Sequence, residues 1–159
     1  MARDSSEPST AGTADAVGRP VTIGRREFVS FVDWPVRRIR VKIDTGAFTS
    51  ALDTAGYELM ENGAGQRTAR VRLALNPKKP RRVIEVEAPV TRMALVRSSA
   101  GVPEQRPVIA TTIRLGPIEK RIEITLARRT GMRVRMLLGR QALSGDFLVD
   151  VGHKYLLRS

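Results

Sequence analysis

The sequence predicts an all-β barrel, and three observations carry that expectation. Apolar and polar residues alternate with period two over most of the chain beyond its first twenty residues. Gly, Pro and Asn punctuate the alternating runs, and only one short stretch has clear helical character.

Taken in order, Met1 to Gly18 is polar and rich in Ser, Thr and Ala, which predicts a disordered leader over 1–20 ahead of a single domain at 21–159. The leader has no apolar core of signal-peptide length, and no segment approaches the roughly 20 apolar residues of a membrane span, so a soluble cytoplasmic protein is expected. The absence of Cys removes any disulfide framework and suits a reducing compartment. Strands are predicted at Phe28–Val32, Ile39–Ile43, Ala69–Leu75, Val83–Glu87, Val108–Leu115, Arg121–Leu126 and Arg133–Leu137. A turn of helix is expected around Ala55 to Met60, and a short C-terminal helix at Arg140-Gln141-Ala142-Leu143. At 159 residues and 42% hydrophobic content the chain can bury one core.

Chemistry concentrates where the run Ile39-Arg40-Val41-Lys42-Ile43 ends in Asp44-Thr45-Gly46-Ala47. This places a carboxylate on a tight turn at a strand end. Two carboxyl groups held about 3 Å apart share one proton and titrate as a pair, one member poised as base and the other as acid. Such a pair activates water against an amide. With one copy of the motif, the chain must dimerise about a two-fold axis to unite Asp44 with its symmetry mate. Thr45 offers a hydroxyl that can brace the two loops across that axis, Gly46 allows a sharp turn and a free N–H near the carboxylate, and Ala47 is small enough to line a cleft floor. The same tripeptide also serves as a plain turn in which Asp accepts backbone hydrogen bonds. The later run Met136-Leu137-Leu138-Gly139-Arg140, an apolar pair followed by Gly, has the form of a structural partner for the catalytic loop. Phe147-Leu148-Val149-Asp150-Val151-Gly152 imitates the first motif, but it lacks Thr or Ser between Asp and Gly, so Asp150 reads as a strand-end turn residue.

These residues resemble the retropepsin-like aspartic protease superfamily, and more closely the bacterial family labelled ATP-dependent zinc protease, associated with RimK-type ATP-grasp ligases. The resemblance runs from about Val21 to Leu157, through Ile23-Gly24-Arg25-Arg26-Glu27, the Asp44 motif, Thr49-Ser50-Ala51-Leu52, Arg97-Ser98-Ser99-Ala100-Gly101, Arg106-Pro107-Val108, Ile122 to Leu126 and Met136 to Leu143. It implies a retropepsin-like closed barrel that dimerises to form its cleft, Asp44 as the catalytic aspartate of an aspartic endopeptidase, and Leu137, Leu138 and Gly139 packed behind the catalytic loop. It also implies that Arg140 supports the dimer. The chain departs from the pattern at Phe48, where a basic residue is frequent, and at Asp53, where His is frequent.

A peptidase of this type needs a hairpin that closes over the substrate. Met93 to Val108 is the candidate, with Arg97, Ser98, Ser99, Ala100 and Gly101 near its tip; the Pro-rich basic segment Asn76 to Arg82 competes as a long loop. No cofactor is expected, because a shared proton and a bound water suffice. No metal site is expected either, since zinc draws on clustered Cys, His and carboxylates and this chain has no Cys and one His, His153.

Charge narrows the partners. Lys and Arg total 28 against 16 acidic residues, a formal +12, which favours anionic partners. Pairs such as Arg70 and Arg72, or Arg133 and Arg135, also read as the solvated face of a half-buried sheet. At 4% aromatic residues, stacking platforms are scarce and nucleic acid is not the expected partner. The expected partners are a second copy of the chain, a peptide or protein substrate of acidic character, and an ATP-grasp ligase. The competing expectation is a noncatalytic barrel that binds a peptide, a ligase or nucleic acid.

Overall fold

The computed structural model describes residues 18–76, 78–79, 81–97, 101–128 and 134–157. Eleven strands and one short helix occur among them: β1 (Val21–Gly24), β2 (Arg26–Phe31), β3 (Ile39–Ile43), β4 (Ser50–Asp53), β5 (Gly56–Glu61), β6 (Arg67–Leu73), β7 (Ile84–Arg97), β8 (Pro103–Leu115), β9 (Ile118–Ala127), β10 (Met136–Leu138), α1 (Arg140–Leu143) and β11 (Phe147–Asp150). Nearly all of the leader lies outside the described residues.

Six strands close into a barrel in the order β2, β3, β10, β4, β9, β8, with β8 returning to pair with β2. Beyond β8 the sheet continues outward as β7, β6 and β5, while β1 and β11 form a separate parallel pair. The alternation in sequence becomes an inside and an outside. Along β3, Ile39, Val41 and Ile43 are buried and Arg40 and Lys42 face out. The interior is filled by such residues, with Ile23, Val41, Leu52, Ile109, Ile124, Leu126, Met136 and Leu138 fully enclosed. Each aliphatic side chain sequestered in this way contributes about 1.5–3 kcal/mol relative to exposure.

One buried charge organises the chain's end. The Glu27 carboxylate, fully enclosed, accepts hydrogen bonds from the N–H groups of Gly24 (2.7 Å), Leu156 (2.9 Å) and Leu157 (3.2 Å). Three donors replace the lost hydration shell, which makes burial tolerable. Phe28 stacks on Tyr155 at 4.9 Å beside this clamp.

The expected helical turn at Ala55 to Met60 is instead strand β5, paired residue by residue with β6 from Gly56 opposite Arg72 to Glu61 opposite Arg67. The helix formers Glu58, Leu59 and Met60 yield to a hairpin closed by Asn62, whose side-chain carbonyl accepts the N–H groups of Ala64 and Gln66. Of the expected Val83–Glu87, all but Val83 begins a strand that continues to Arg97, and Val108–Leu115 is the second half of one that starts at Pro103. The segment Thr49-Ser50-Ala51-Leu52 contributes a further barrel strand, β4.

Candidate active site

β3 and β10 run parallel as neighbours, with Leu138 opposite Ile43, so the chain leaves both strands at the same end of the barrel. Asp44 stands at that exit. Its N–H donates to the Leu138 carbonyl at 2.9 Å, and its Oδ1 accepts the Gly46 N–H at 3.0 Å. The carboxylate is thus aimed by its own turn while remaining partly open to solvent. A Cβ on Gly46 would approach that Oδ1 to 3.3 Å, tighter than an ordinary contact.

The Leu138-Gly139-Arg140 segment grips the loop from the other side. Gly139 donates to the Ser50 hydroxyl at 3.1 Å, the Arg140 N–H to the Ala47 carbonyl at 2.8 Å, and the Gln141 N–H to the Phe48 carbonyl at 2.9 Å. The Arg140 guanidinium reaches the Thr45 carbonyl at 3.0 Å. Any side chain at Gly139 would collide with backbone, its Cβ only 2.6 Å from the Thr49 carbonyl oxygen and 2.7 Å from that of Phe48. Residues 44–48 and 138–141, far apart in sequence, form one hydrogen-bonded unit.

Of the expected site residues, Asp44, Thr45, Gly46, Ala47, Gly139 and Arg140 meet in this unit. Leu138 is buried beneath it. Leu137 faces the other way and lines a depression of about 190 Å³ with Ala51, Asp53, Val96, Arg106 and Arg135. Phe48 projects from the loop, 60% exposed. The hairpin expected at Met93 to Val108 is present, with Arg97 opposite Pro103, and Val96 leans over the same depression. Gly101 takes a left-handed φ of 77° near its turn; Ser98, Ser99 and Ala100 lie outside the described residues, as do two positions of the competing 76–82 loop. Asp150 ends β11, and its carboxylate accepts the Gly152 N–H and meets His153 Nδ1 at 2.8 Å, the geometry of a capped turn.

Sequence reasoning missed the basic lining of the depression. Arg135 sits on the same outer face as Leu137, one pair further from the loop, and its Nη1 contacts Asp53 Oδ2 at 2.9 Å, while its Nε is buried without a hydrogen-bond partner. Arg106, almost fully enclosed, meets Glu104 at 3.2 Å. Lys42 stands opposite Leu137 on the neighbouring strand. The alternation puts Arg135 on the face of Leu137, two residues on, but it carries no signal of what that face meets.

Among the described residues no group of three or more His, Cys, Asp or Glu is placed to hold a metal ion. The lone imidazole is paired with Asp150 at an exposed turn, so the donor set does not fit the zinc that the family label implies. No helix of the described residues is long and apolar enough to cross a membrane.

Comparison with known proteins gives the family and the fold. A family model described as the RimB-like, retropepsin-like aspartic endopeptidase RimB matches residues 22–159. Proteins named probable alpha-L-glutamate ligase are similar: that of Shewanella pealeana is 33% identical over 137 residues, covering 85% of this chain and 29% of the relative. That of Desulfotalea psychrophila is 30% identical, covering 80% and 27%, and that of Parasynechococcus marenigrum is 33% identical, covering 83% and 28%. The chain therefore spans less than a third of the length of these curated relatives. A crystal structure of a Legionella pneumophila protein of unknown function shares the fold, with a TM-score of 0.73 over 88% of this chain and all of the other at 20% identity. With a closed six-strand barrel, an Asp-Thr-Gly loop at its mouth and a family match across its whole described length beyond residue 21, the chain belongs to the RimB-like family of retropepsin-like aspartic endopeptidases.

Proposed function

We propose that the chain is one subunit of a homodimeric, cytoplasmic aspartic endopeptidase that hydrolyses acidic peptides. The observation that carries the reading is the Asp44 loop itself: a half-open carboxylate fixed by Gly46 and tied to Leu138, with Gly139 and Arg140 holding the loop from behind. One such loop supplies one carboxylate. A second copy about a two-fold axis supplies the other, and the pair shares a single proton.

In the reaction, the ionised Asp44 takes a proton from a water as its oxygen attacks the amide carbon, while the protonated partner carboxyl donates to the carbonyl oxygen. Collapse of the tetrahedral adduct breaks the C–N bond as the amine receives a proton, leaving a carboxylic acid and an amine. Thr45 braces the two loops, and the Met93–Val108 hairpin, including Arg97 to Gly101, closes over the substrate and excludes water. Arg135 and Arg106 in the depression, with Lys42 opposite Leu137 on the neighbouring strand, favour a substrate with carboxylate side chains, in keeping with the +12 net charge. An ATP-grasp ligase is the proposed biological partner, since relatives named for glutamate ligation carry a segment like this chain within a longer protein.

Digestion of a peptide library by the native protein and by Asp44→Asn tests this. Cleavage enriched at acidic sequences and abolished in the variant is expected. Equal products from both proteins, or none from the native dimer, would leave only a noncatalytic barrel that binds its partner through the same cleft.

A further inference from the structure

Beyond the cleft the same face of the barrel continues as a basic groove. Arg135 lines both the depression beside Leu137 and a second one of about 370 Å³, whose other walls include Arg38, Arg40 and Phe28. Phe28 and Arg38 in turn belong to a third depression of about 490 Å³ walled by Arg37 and Arg114. Shared walls make the three one track.

Beyond the first depression, which Asp53 also lines, its charged side chains are all basic. No carboxylate lines the second or third depression. Arg114 and Arg135 have acidic partners elsewhere, whereas Arg37, Arg38 and Arg40 have no carboxylate at ion-pair distance among the described residues. The Arg38 guanidinium lies over the Phe28 ring at 4.0 Å, and Phe28 is backed by Tyr155. This stack holds a cation in place before any ligand arrives, which lowers the ordering cost of binding. At about 3.3 Å per residue along β3, Arg38 stands roughly 20 Å from Asp44.

We propose that this groove is an exosite for the acidic stretch of a substrate that extends beyond the cleft, with its carboxylates on Arg37, Arg38 and Arg114. The proposal rests on the peptidase reading above for its ligand. Continuity with the cleft through Arg135 favours a peptide over other polyanions, because one extended chain can occupy both at once. About six further residues span the distance. The groove then acts by effective concentration: engagement at one end raises occupancy at the other without altering the bond-breaking step.

The test uses two peptides with the same cleavable core, one ending at the cleft and one extended by about eight alternating Asp and Glu residues. In the native protein the longer peptide has the lower KM. Arg37→Ala with Arg38→Ala raises KM for the long peptide about ten-fold, leaves its kcat, and leaves the short peptide unchanged. Loss of both peptides alike, or of neither, overturns the exosite. Fluorescence anisotropy of the long peptide on Asp44→Asn reads the groove apart from catalysis. Affinity that falls with the Arg37 and Arg38 changes, in a protein whose native form cleaves nothing, retires the peptidase and keeps the groove. A single-stranded oligonucleotide of equal charge that binds more tightly than the peptide, through the same arginines, overturns the peptide as occupant.

Discussion

Gly139 carries more of the Asp44 loop's architecture than its size suggests. Its missing side chain is what lets the α1 end of β10 lie against the carbonyls of Phe48 and Thr49, so Gly139→Ala forces those backbones apart. Overpacking of this kind costs about 1–3 kcal/mol, which a urea melt would register, and peptide turnover should fall further than stability because Asp44 moves with the loop. Asp150 shows how a similar Asp-x-Gly serves another purpose. The Gly152 N–H, and then the hydrogen bond with His153, hold its carboxyl below the ordinary value of 3.8. A carboxyl depressed by folding stabilises the turn above that ordinary value and stops doing so as pH falls through the lower, folded one. Carbon-detected titration of Asp150 should show the lowered midpoint, and His153→Ala should return it part of the way. The sequence separates these two aspartates only by Thr45 against Val151, and both carboxylates accept the N–H of the Gly two residues on at 3.0 Å. It does not disclose that Arg135 and Arg106 line one depression, since an alternating Arg on a strand looks the same whether the outer face meets water or a neighbour.

At the scale of elements, legibility follows how local the determining contacts are. β3 and the loop after it are readable because alternation, turn residues and the strand end fall within a few positions. β5 is not, because its identity depends on pairing with β6, and the helix-forming Glu58, Leu59 and Met60 say nothing of that neighbour. β4 was equally obscure as a strand, being four residues whose ladder partners are β9 and β10. The clamp around Glu27 is a further long-range feature, joining the β1–β2 turn to Leu156 and Leu157. Glu27→Ala leaves three donors without their acceptor and should cost about 3 kcal/mol, read as a lowered midpoint in thermal unfolding. Glu27→Gln retains one acceptor oxygen and should lose less.

For the whole molecule, the proposed sharing of Asp44 between two copies predicts that activity depends on concentration. Specific activity should fall on dilution through the dimer dissociation constant, with sizing chromatography reporting the matching loss of dimer; activity that is constant down to the monomer range would refute the shared dyad. The basic face adds a salt signature. Raising ionic strength from 0.05 to 0.5 M shortens the screening length from well above 10 Å to only a few ångströms, so KM for an acidic peptide should rise several-fold with little change in kcat.

One irregularity in the long β7–β8 hairpin sets how that arm can move. The register shifts between Val90 and Arg92, just past the point where β7 exchanges β6 for β8 as its ladder partner. Below that step residues 84–89 pair with β6, and above it residues 92–97 pair with β8. A bulge at the change of partner bends the strand and loosens its ladder locally, so the β7–β8 arm and the β6–β7 ladder are joined through residues 90–92 of this strand, and a bend there leaves the rungs on either side paired.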